Sequence, residues 1–333
     1  MQKLIVLILV LATGWGGYWF VGSSAVQSGM TNWISAQQGN SLNIKYSTLK
    51  TRGFPSRFDT TIQDIQISDP RSGYIWTAPF FQIFALSYKP NHIIAFWPNE
   101  QTIQTPDERI DITSEQIKAS VVFDPGTALT LSRSSFVLDQ FDLNSNLGWS
   151  AQIGSGLFAT RQMPDQENSH GVALSLAEIR PSAGILAELD PKSSLPKVIK
   201  NLSIDTVLEF DMPLDRFSFE GQPPRIRKVN LTSLKLNWGK LEFQAEGKIN
   251  IDRAGVLNGR INLSTKDWRQ LLKLAVAADV VKENVSQTVE NALEIMAQMS
   301  GDPKNLETPL IFNKGRMSLG PIPLGPAPRL VFR

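Results

Sequence analysis

Residues 4 to 44 carry no charged side chain, and the first half of this stretch, LIVLILVLATGWGGYWFVG, is almost continuously apolar. In an α-helix about eighteen such residues cover roughly 27 Å, which is enough to cross the hydrocarbon core of a bilayer. The sequence therefore predicts an N-terminal transmembrane helix. The residues that we expect to form the membrane anchor are Leu4, Leu7, Leu11, Trp15, Tyr18 and Trp19.

The orientation of this helix follows from the charge at its start. Lys3 and the amino terminus precede the apolar run, and positively charged ends stay on the cytoplasmic side of a membrane, so the rest of the chain is exported. A cleaved signal peptide is the alternative, because Ser23-Ser24-Ala25 offers small residues to a signal peptidase. The apolar run is longer than is usual for a signal peptide, and helical spacing continues beyond it, which favours an uncleaved anchor with a helical extension in residues 1–40.

The composition narrows the kinds of partner. The chain has 33 basic and 31 acidic residues in no long block of either sign, so it lacks the clustered basic face of a nucleic-acid-binding protein. It has no cysteine, which excludes disulfide bonds and metal binding through thiolates. We expect a body that is held together by its apolar core, with no cofactor.

Beyond residue 40 the dominant pattern is the period-two alternation of β-strands. It is clearest in residues 202–212 and again in 234–251, where Gly239-Lys240 separates two alternating runs as in a hairpin. Strands with one apolar and one polar face are typical of antiparallel sheets. We therefore predict a mainly β fold, with an elongated, curved antiparallel sheet in an exported domain of residues 41–265. The residues that we expect to line an apolar groove on its concave face are Leu202, Ile204, Leu208, Phe210, Leu234, Leu236, Trp238, Leu241 and Phe243.

Two C-terminal segments complete the predicted organisation. Residues 266–300 have apolar residues at helical spacing, which predicts an amphipathic helix, or two helices with a joint near Asp279, that covers the sheet. We expect Ser264 or Thr265 to cap its N-terminus. Residues 301–333 predict a terminal hairpin followed by a strap rich in Pro and Gly, whose prolines lack the N–H groups of a regular strand.

The most apolar exported segments are residues 78–86 and 93–97. Two neighbouring strands that are apolar on both faces must be covered on both sides, or must face a ligand or a membrane. Because apolar runs usually belong to a core, we expect a central hairpin that is covered on both faces.

We expect the chain to have no catalytic residues. Ser194 and Lys197 have the S-x-x-K spacing of serine acyl enzymes, but that spacing works on a helix and Pro196 lies between them. The two histidines, His92 and His170, have no partner at a metal-ligand spacing, so we also expect no metal site.

Two arginines bracket a turn soon after the anchor, in the segment RGFPSRFD at residues 52–59. Arg52 and Arg57 could contact phospholipid headgroups, as basic residues close to a membrane do. The alternative is that they pair with nearby carboxylates such as Asp59 or Asp64. Two basic residues are too few for stable attraction to a membrane surface, and this favours the ion pairs.

Four segments carry a resemblance to a known family: GYWFVG at residues 17–22, RGFPSRFDTTIQDIQISDP at 52–70, APFFQIFALSYKPNHIIAFWP at 78–98 and GRMSLGPIPLGPAPRL at 315–330. With these segments the chain resembles, nearly end to end, the uncharacterised bacterial family known as domain of unknown function 2125. The family has no assigned activity, so the resemblance implies a bacterial envelope protein. With the predicted anchor, it would be a single-pass inner-membrane protein with a periplasmic body, or a soluble periplasmic protein if the signal is cleaved.

A second resemblance is one of architecture alone. An N-terminal anchor followed by an exported β-rich body is similar to the AsmA-type envelope proteins, which are built around a long sheet with an apolar groove and are associated with phospholipid movement between membranes.

These observations lead to three hypotheses about function. The first is a non-enzymatic envelope protein whose β-groove binds or moves lipid or another amphiphile, because the predicted helices are too few to cover every apolar inner face. The second is a scaffold or assembly factor that binds an envelope protein through the same surface, and the third is a hydrolase acting on wall or lipid. The expected partners are therefore the phospholipid membrane and either a lipid ligand or an envelope protein, and not nucleic acid.

Overall fold

The computed structural model describes residues 1–38, 42–164, 166–220, 223–279, 281–299 and 302–330. Within these residues, eighteen strands belong to one antiparallel sheet, which confirms the mainly β fold. The helices are α1 Gln2–Gln37, α2 Ala183–Leu189, α3 Arg216–Glu220, α4 Trp268–Ala277 and α5 Glu283–Met299. The strands are β1 Asn43–Lys45, β2 Thr48–Arg52, β3 Arg57–Asp69, β4 Tyr74–Leu86, β5 Lys89–Trp97, β6 Glu100–Gln104, β7 Arg109–Thr113, β8 Gln116–Phe123, β9 Leu131–Ser145, β10 Ser150–Met163, β11 Gln166–Arg180, β12 Ile199–Phe210, β13 Ile226–Trp238, β14 Leu241–Ile251, β15 Leu257–Lys266, β16 Asn305–Asn313, β17 Arg316–Leu319 and β18 Ile322–Pro326.

Helix α1 has 36 residues and is long and apolar enough to cross a membrane. This confirms the predicted N-terminal helix, which continues past the apolar run as its spacing indicated. The side chains from Leu4 to Leu11 are all exposed. The first part of the helix therefore presents apolar surface in every direction, as a membrane-spanning helix does.

The chain divides into two compact units, of which the first comprises Met1–Pro125 and Ser134–Gly148. Strand β3 pairs with β1, β2 and β4, and β4 pairs with β5 and β6. Strand β5 pairs with β8, β6 with β7, and β7 with β9. The second half of α1 packs over β1, β2 and β3, where Met30 and Ile34 join a core with Ile44, Leu49 and Ile62.

The hairpin of β4 and β5 is not covered on both faces, contrary to the prediction. Its side chains from residue 80 to 86 and from 91 to 97 are only partly buried. The reason is that α1 packs over β1, β2 and β3 and leaves the far side of the hairpin without that cover. The aromatic side chains of the hairpin contact one another instead, with ring centroids 5.0 Å apart for Phe81 and Trp97 and 5.5 Å apart for Phe84 and Phe96.

The second unit comprises Gly126–Arg133 and Trp149–Arg333. Its strands β10 to β18 form a meander in which each strand pairs antiparallel with the next. The predicted hairpin between β13 and β14 is present. Trp238 pairs with Leu241 across the two-residue turn, in which Gly239 has a φ of +62° that suits glycine.

The C-terminal cover consists of two helices, with the turn between them starting near Asp279, whose φ is +55°. The predicted N-cap was wrong. Ser264 and Thr265 lie in β15, because the strand continues to Lys266, and Asp267 with a φ of +62° makes the change from strand to helix.

The terminal strap also differs from the prediction. Part of it forms the short strand β18, which pairs with β17 from Leu319 and Ile322 to Arg316 and Pro326. A register shift after Met317 interrupts this ladder. The prolines therefore permit a short irregular strand at the end of the meander rather than excluding one.

Candidate apolar binding face

The structure brings the nine predicted groove residues to one face of three neighbouring strands, β12, β13 and β14. Across these strands Leu202 pairs with Leu236 and Leu236 with Phe243, while Ile204 pairs with Leu234. Because side chains two residues apart share a face, Leu208, Phe210, Trp238 and Leu241 belong to the same side.

The same face continues onto two further strands of the second unit. Ile204 on β12 pairs with Leu174 on β11, and Leu174 pairs with Phe158 on β10. Two residues along β12 from Ile204, Leu202 pairs with Leu176. The prediction missed Phe158 because Leu157 precedes it, and two consecutive apolar residues hide the period of two.

One end of this face is sealed. Trp238 and Leu241 are buried and pack with Leu274 of α4, and Leu186 and Leu189 of α2 pack against the same cluster. Helix α5 covers the last strands of the meander, where its buried residues form a core with residues of α4, β16 and β18. The buried members of that core are Trp268, Leu272, Val281, Val289, Leu293, Ala297, Leu306 and Ile322.

The other end stays open. Along the row that runs from β14 to β10, Ala245 is buried, Leu234, Ile204 and Leu174 are partly buried, and Phe158 is 41% exposed. Helices α4 and α5 pack against β14 and β16, so cover is lost towards β10. We call this surface the open face; its residues are Phe158, Leu174, Leu176, Leu202, Ile204, Leu208, Leu234 and Leu236.

The opposite face of the same sheet is polar. Lys235, Gln244, Ser264 and Glu307 pair in register across β13 to β16. They line a groove of about 830 Å³ together with other polar residues such as Arg260. The mixed charges of this groove suit water rather than an acyl chain.

His170 is a polar residue within the apolar side. It pairs with Leu208 across β11 and β12, is buried, and lies edge-on to Phe210 with ring centroids 6.2 Å apart. Neither ring nitrogen has a hydrogen-bond partner in the part of the chain that the structure describes. Burial lowers the pKa of this histidine, so the neutral form is favoured.

Ser194, the serine of the S-x-x-K spacing, lies in the loop between α2 and β12. Its hydroxyl donates to Asp190 Oδ1 at 2.7 Å and also lies 3.1 Å from Gln270 Oε1. Burial acts to raise the pKa of Asp190, but hydrogen bonds from the Leu195 N–H and the Ser194 hydroxyl outweigh it, and the pKa is lowered. This arrangement orders the loop around a carboxylate.

The remaining chemical candidates are dispersed. His92 Nε2 lies 2.9 Å from the Ser120 hydroxyl on the neighbouring strand. In the described ranges, no three His, Asp or Glu side chains come together as a group that could hold a metal ion.

The two candidate headgroup residues lie on either side of the turn between β2 and β3. Arg52 is exposed and pairs in register with Asp59, and Arg57 forms an ion pair with Asp59 at 2.8 Å. Burial raises the pKa of Asp59, an effect that the positive charge of Arg57 opposes. Arg57 therefore forms the ion pair with Asp59 that the sequence offered as the alternative to a headgroup contact.

The aromatic anchor residues contact the first unit directly. Trp15 Nε1 donates to the Pro55 carbonyl at 2.9 Å, Tyr18 to the Ser87 carbonyl at 2.6 Å and Trp19 Nε1 to the Arg57 carbonyl at 2.8 Å. The earlier anchor residues Leu4, Leu7 and Leu11 are exposed. The end of the apolar run, from Trp15 to Trp19, is thus hydrogen-bonded to the body, whereas the side chains at its beginning are exposed.

These features define a class: a β-rich protein with an N-terminal helix able to cross a membrane and a sheet that leaves part of one apolar face open. The chain belongs to a bacterial family described as "Uncharacterized protein conserved in bacteria (DUF2125)", which it matches over residues 19–328. No curated protein matches the chain. The membership confirms the resemblance seen in the sequence, while the likeness to AsmA-type proteins stays a prediction.

Proposed function

We propose that this protein is a non-enzymatic, membrane-anchored protein of the bacterial envelope that binds a lipid or another amphiphile on its open face. The observation that carries the proposal is the loss of cover along one sheet, from buried Ala245 on β14 to exposed Phe158 on β10. A contiguous apolar surface that the protein's own helices leave uncovered is typical of a binding site.

The dimensions of the open face suit an acyl chain. Its four strands span about 14 Å, and the distance from Leu202 to Leu208 along β12 is about 20 Å. One leaflet of a bilayer has a hydrocarbon depth of about 15 Å, so an acyl chain would fit along the strands. The rows of the open face contain no Asp, Glu, Lys or Arg, which favours an uncharged, apolar part of the ligand.

We also propose that α1 is retained as a single-pass anchor, with the body in the periplasm. Cleavage after Ala25 would remove Trp15, Tyr18 and Trp19 and with them three hydrogen bonds to the body. It would also expose the ring of Phe58, which is buried beside Trp19. An anchor held in this way tethers the chain to the membrane.

Photo-crosslinking tests the binding proposal. The full-length protein in nanodiscs is irradiated with a phosphatidylethanolamine that carries a diazirine in its acyl chain, and the labelled peptides are mapped by mass spectrometry. We expect label in β10 to β13 as well as in α1. Phe158→Glu should lower the label in β10 to β13 by about tenfold, or about 1.4 kcal/mol, because a carboxylate would have to lose its water.

Leu157→Glu is the matched control. Leu157 is 43% exposed, close to the 41% of Phe158, and it lies next to it on the opposite face of β10. This control should keep the wild-type labelling. Label confined to α1, or equal loss in both variants, would refute the proposal; a protein cross-linked to β10 to β13 at high occupancy in cells would favour the scaffold function instead.

A further inference from the structure

One end of the first unit is attached to the part of α1 that lies within the predicted membrane span. If Leu4 marks the cytoplasmic edge of a hydrocarbon core about 30 Å thick, Trp15 lies about 16 Å into the core and Phe20 about 24 Å. The body residues that contact this stretch of α1 must then lie at the same depth, on the far side of the bilayer midplane.

Besides Arg57 and Phe58 at the start of β3, which contact Trp19, the contacting residues come from two turns. The first is the loop 53–56 between β2 and β3, in which Phe54 packs on Trp19 and Phe20 with ring centroids 5.4 and 5.9 Å apart. The second is the turn at Ser87 and Tyr88 between β4 and β5, which Tyr18 contacts through its hydroxyl.

The polar backbone groups of these turns are largely satisfied within the protein. The Gly53 carbonyl accepts from the Arg57 N–H and the Ser56 carbonyl from the Ser87 N–H, both at 2.9 Å. The Pro55 and Ser87 carbonyls accept from α1, and Pro55 has no N–H. Non-helical backbone is tolerated at membrane depth only where it is packed against protein, and here the Pro55 and Ser87 carbonyls are turned towards α1.

The side chains at the tips are apolar and uncovered. Phe54 is 56% exposed and Tyr88 is 59% exposed, and aromatic side chains of this kind are enriched where proteins meet membrane interfaces. Arg52, Arg57 and Lys89 follow on the side of the strands, where long basic side chains reach headgroups.

We propose that the loop 53–56 and the turn at Ser87 and Tyr88 insert into the far leaflet of the membrane beside α1, with Phe54 and Tyr88 among the acyl chains. This inference rests on the proposed membrane insertion of α1. It assigns the partner of this end of the body as lipid hydrocarbon, and it requires the long side chains of Arg52 and Arg57 to extend from the strand ends towards the headgroups.

Depth measurement by fluorescence quenching tests this inference, and the absence of native cysteine makes single labels unambiguous. The full-length variants Phe54→Cys and Tyr88→Cys are labelled with the dye NBD and reconstituted in vesicles of phosphatidylcholine and phosphatidylglycerol. Lipids that carry a nitroxide on the acyl chain are then added to the vesicles. We expect each dye to lose about half of its emission, as for a group among acyl chains.

Tyr74→Cys is the matched control, because Tyr74 is 55% exposed at the opposite end of β4, about 40 Å along the strand. Its dye should keep its emission, whereas a dye at Leu11→Cys in α1 should be quenched. If Phe54→Cys does not fold, Ser56→Cys, exposed in the same loop, replaces it.

The outcomes separate the two proposals. Quenching at both turns supports the inference. A signal at either turn as unquenched as that at Tyr74, with Leu11 quenched, overturns the inference and leaves α1 as an anchor. An unquenched dye at Leu11 refutes the membrane insertion of α1 and the inference with it.

Discussion

His170 shows, at the scale of a single residue, what the apolar side of the sheet does to a titratable group. Its ring is buried and lies edge-on to Phe210, and its two nitrogens have no hydrogen-bond partner among the described residues. Burial lowers its pKa, so the folded protein holds the ring neutral. The one histidine on this part of the face is therefore uncharged in the folded protein.

We predict that His170→Leu stabilises the protein, and that the gain is larger at about pH 5 than at about pH 8. Well above its unfolded pKa of about 6.5, a histidine whose pKa falls on folding does not change the free energy of unfolding through protonation. Below that value the unfolded chain binds a proton that the folded chain does not, and the folded state is destabilised. Leucine removes this loss, and it also removes two unsatisfied nitrogens, which cost about 1–3 kcal/mol. Urea denaturation of the full-length protein in detergent at both pH values measures the free energy of unfolding.

His92→Leu is the control for this change. His92 bonds the Ser120 hydroxyl, so its loss should be neutral or destabilising. An equal gain for His170→Leu at both pH values, or no gain at either, would contradict the prediction.

At the scale of elements, α1 serves two environments along one helix. Its first part is exposed and apolar, while its second part supplies buried Trp19 and Ile34 to the first unit. Gly22 lies at the change between them. A Cβ at this position would come within 2.7 Å of Phe58 Cζ, so the absence of a side chain allows α1 to lie close to β3.

We predict that Gly22→Leu lowers the stability of the first unit by about 1–3 kcal/mol, because the buried Phe58 ring must shift or α1 must move away. Thermal unfolding followed by tryptophan fluorescence in detergent measures the change. Gly17→Leu is the matched control, since it adds the same side chain to the same helix, and no atom of the described residues lies within 4 Å of a Cβ placed there. Equal midpoints for the two variants would show that the contact with Phe58 does not hold α1.

At the scale of the whole molecule, the helices cover the sheet unevenly. In the second unit, α4 and α5 pack against β14 and β16, and the open face lies at the strands that they leave. In the first unit, α1 packs over β1, β2 and β3, and the hairpin of β4 and β5 stays partly exposed. Both apolar surfaces have the same physical cause: the apolar area of the strands is larger than the area that the helices cover.

The whole chain should also remain intact in the cell. We predict that protein extracted from the membrane fraction retains residues 1–25, because α1 contributes hydrogen bonds and ring packing to the body. Intact-mass spectrometry measures this. A mass lower by residues 1–25, together with a soluble periplasmic location, would show that the helix is a cleaved signal.

Local pattern alone was sufficient to predict the long N-terminal helix, the strands and their apolar faces, because the periods of 3.6 and 2 are properties of neighbouring residues. The nine predicted groove residues share one face for this reason. The hairpin at Gly239-Lys240 was equally predictable, since a two-residue turn determines the register of its strands.

Only the tertiary structure decided which parts of those faces are covered. Trp238 is buried because α2 and α4 pack on it, whereas Phe158 on the same face is exposed, and the sequence around neither residue shows what packs on it. The contact of Trp15 with Pro55 joins residues forty positions apart, and it brings the exposed Phe54 beside the anchor. Cover is a property of segments distant in the chain, so the alternation of a strand shows which side is apolar but not what lies against it.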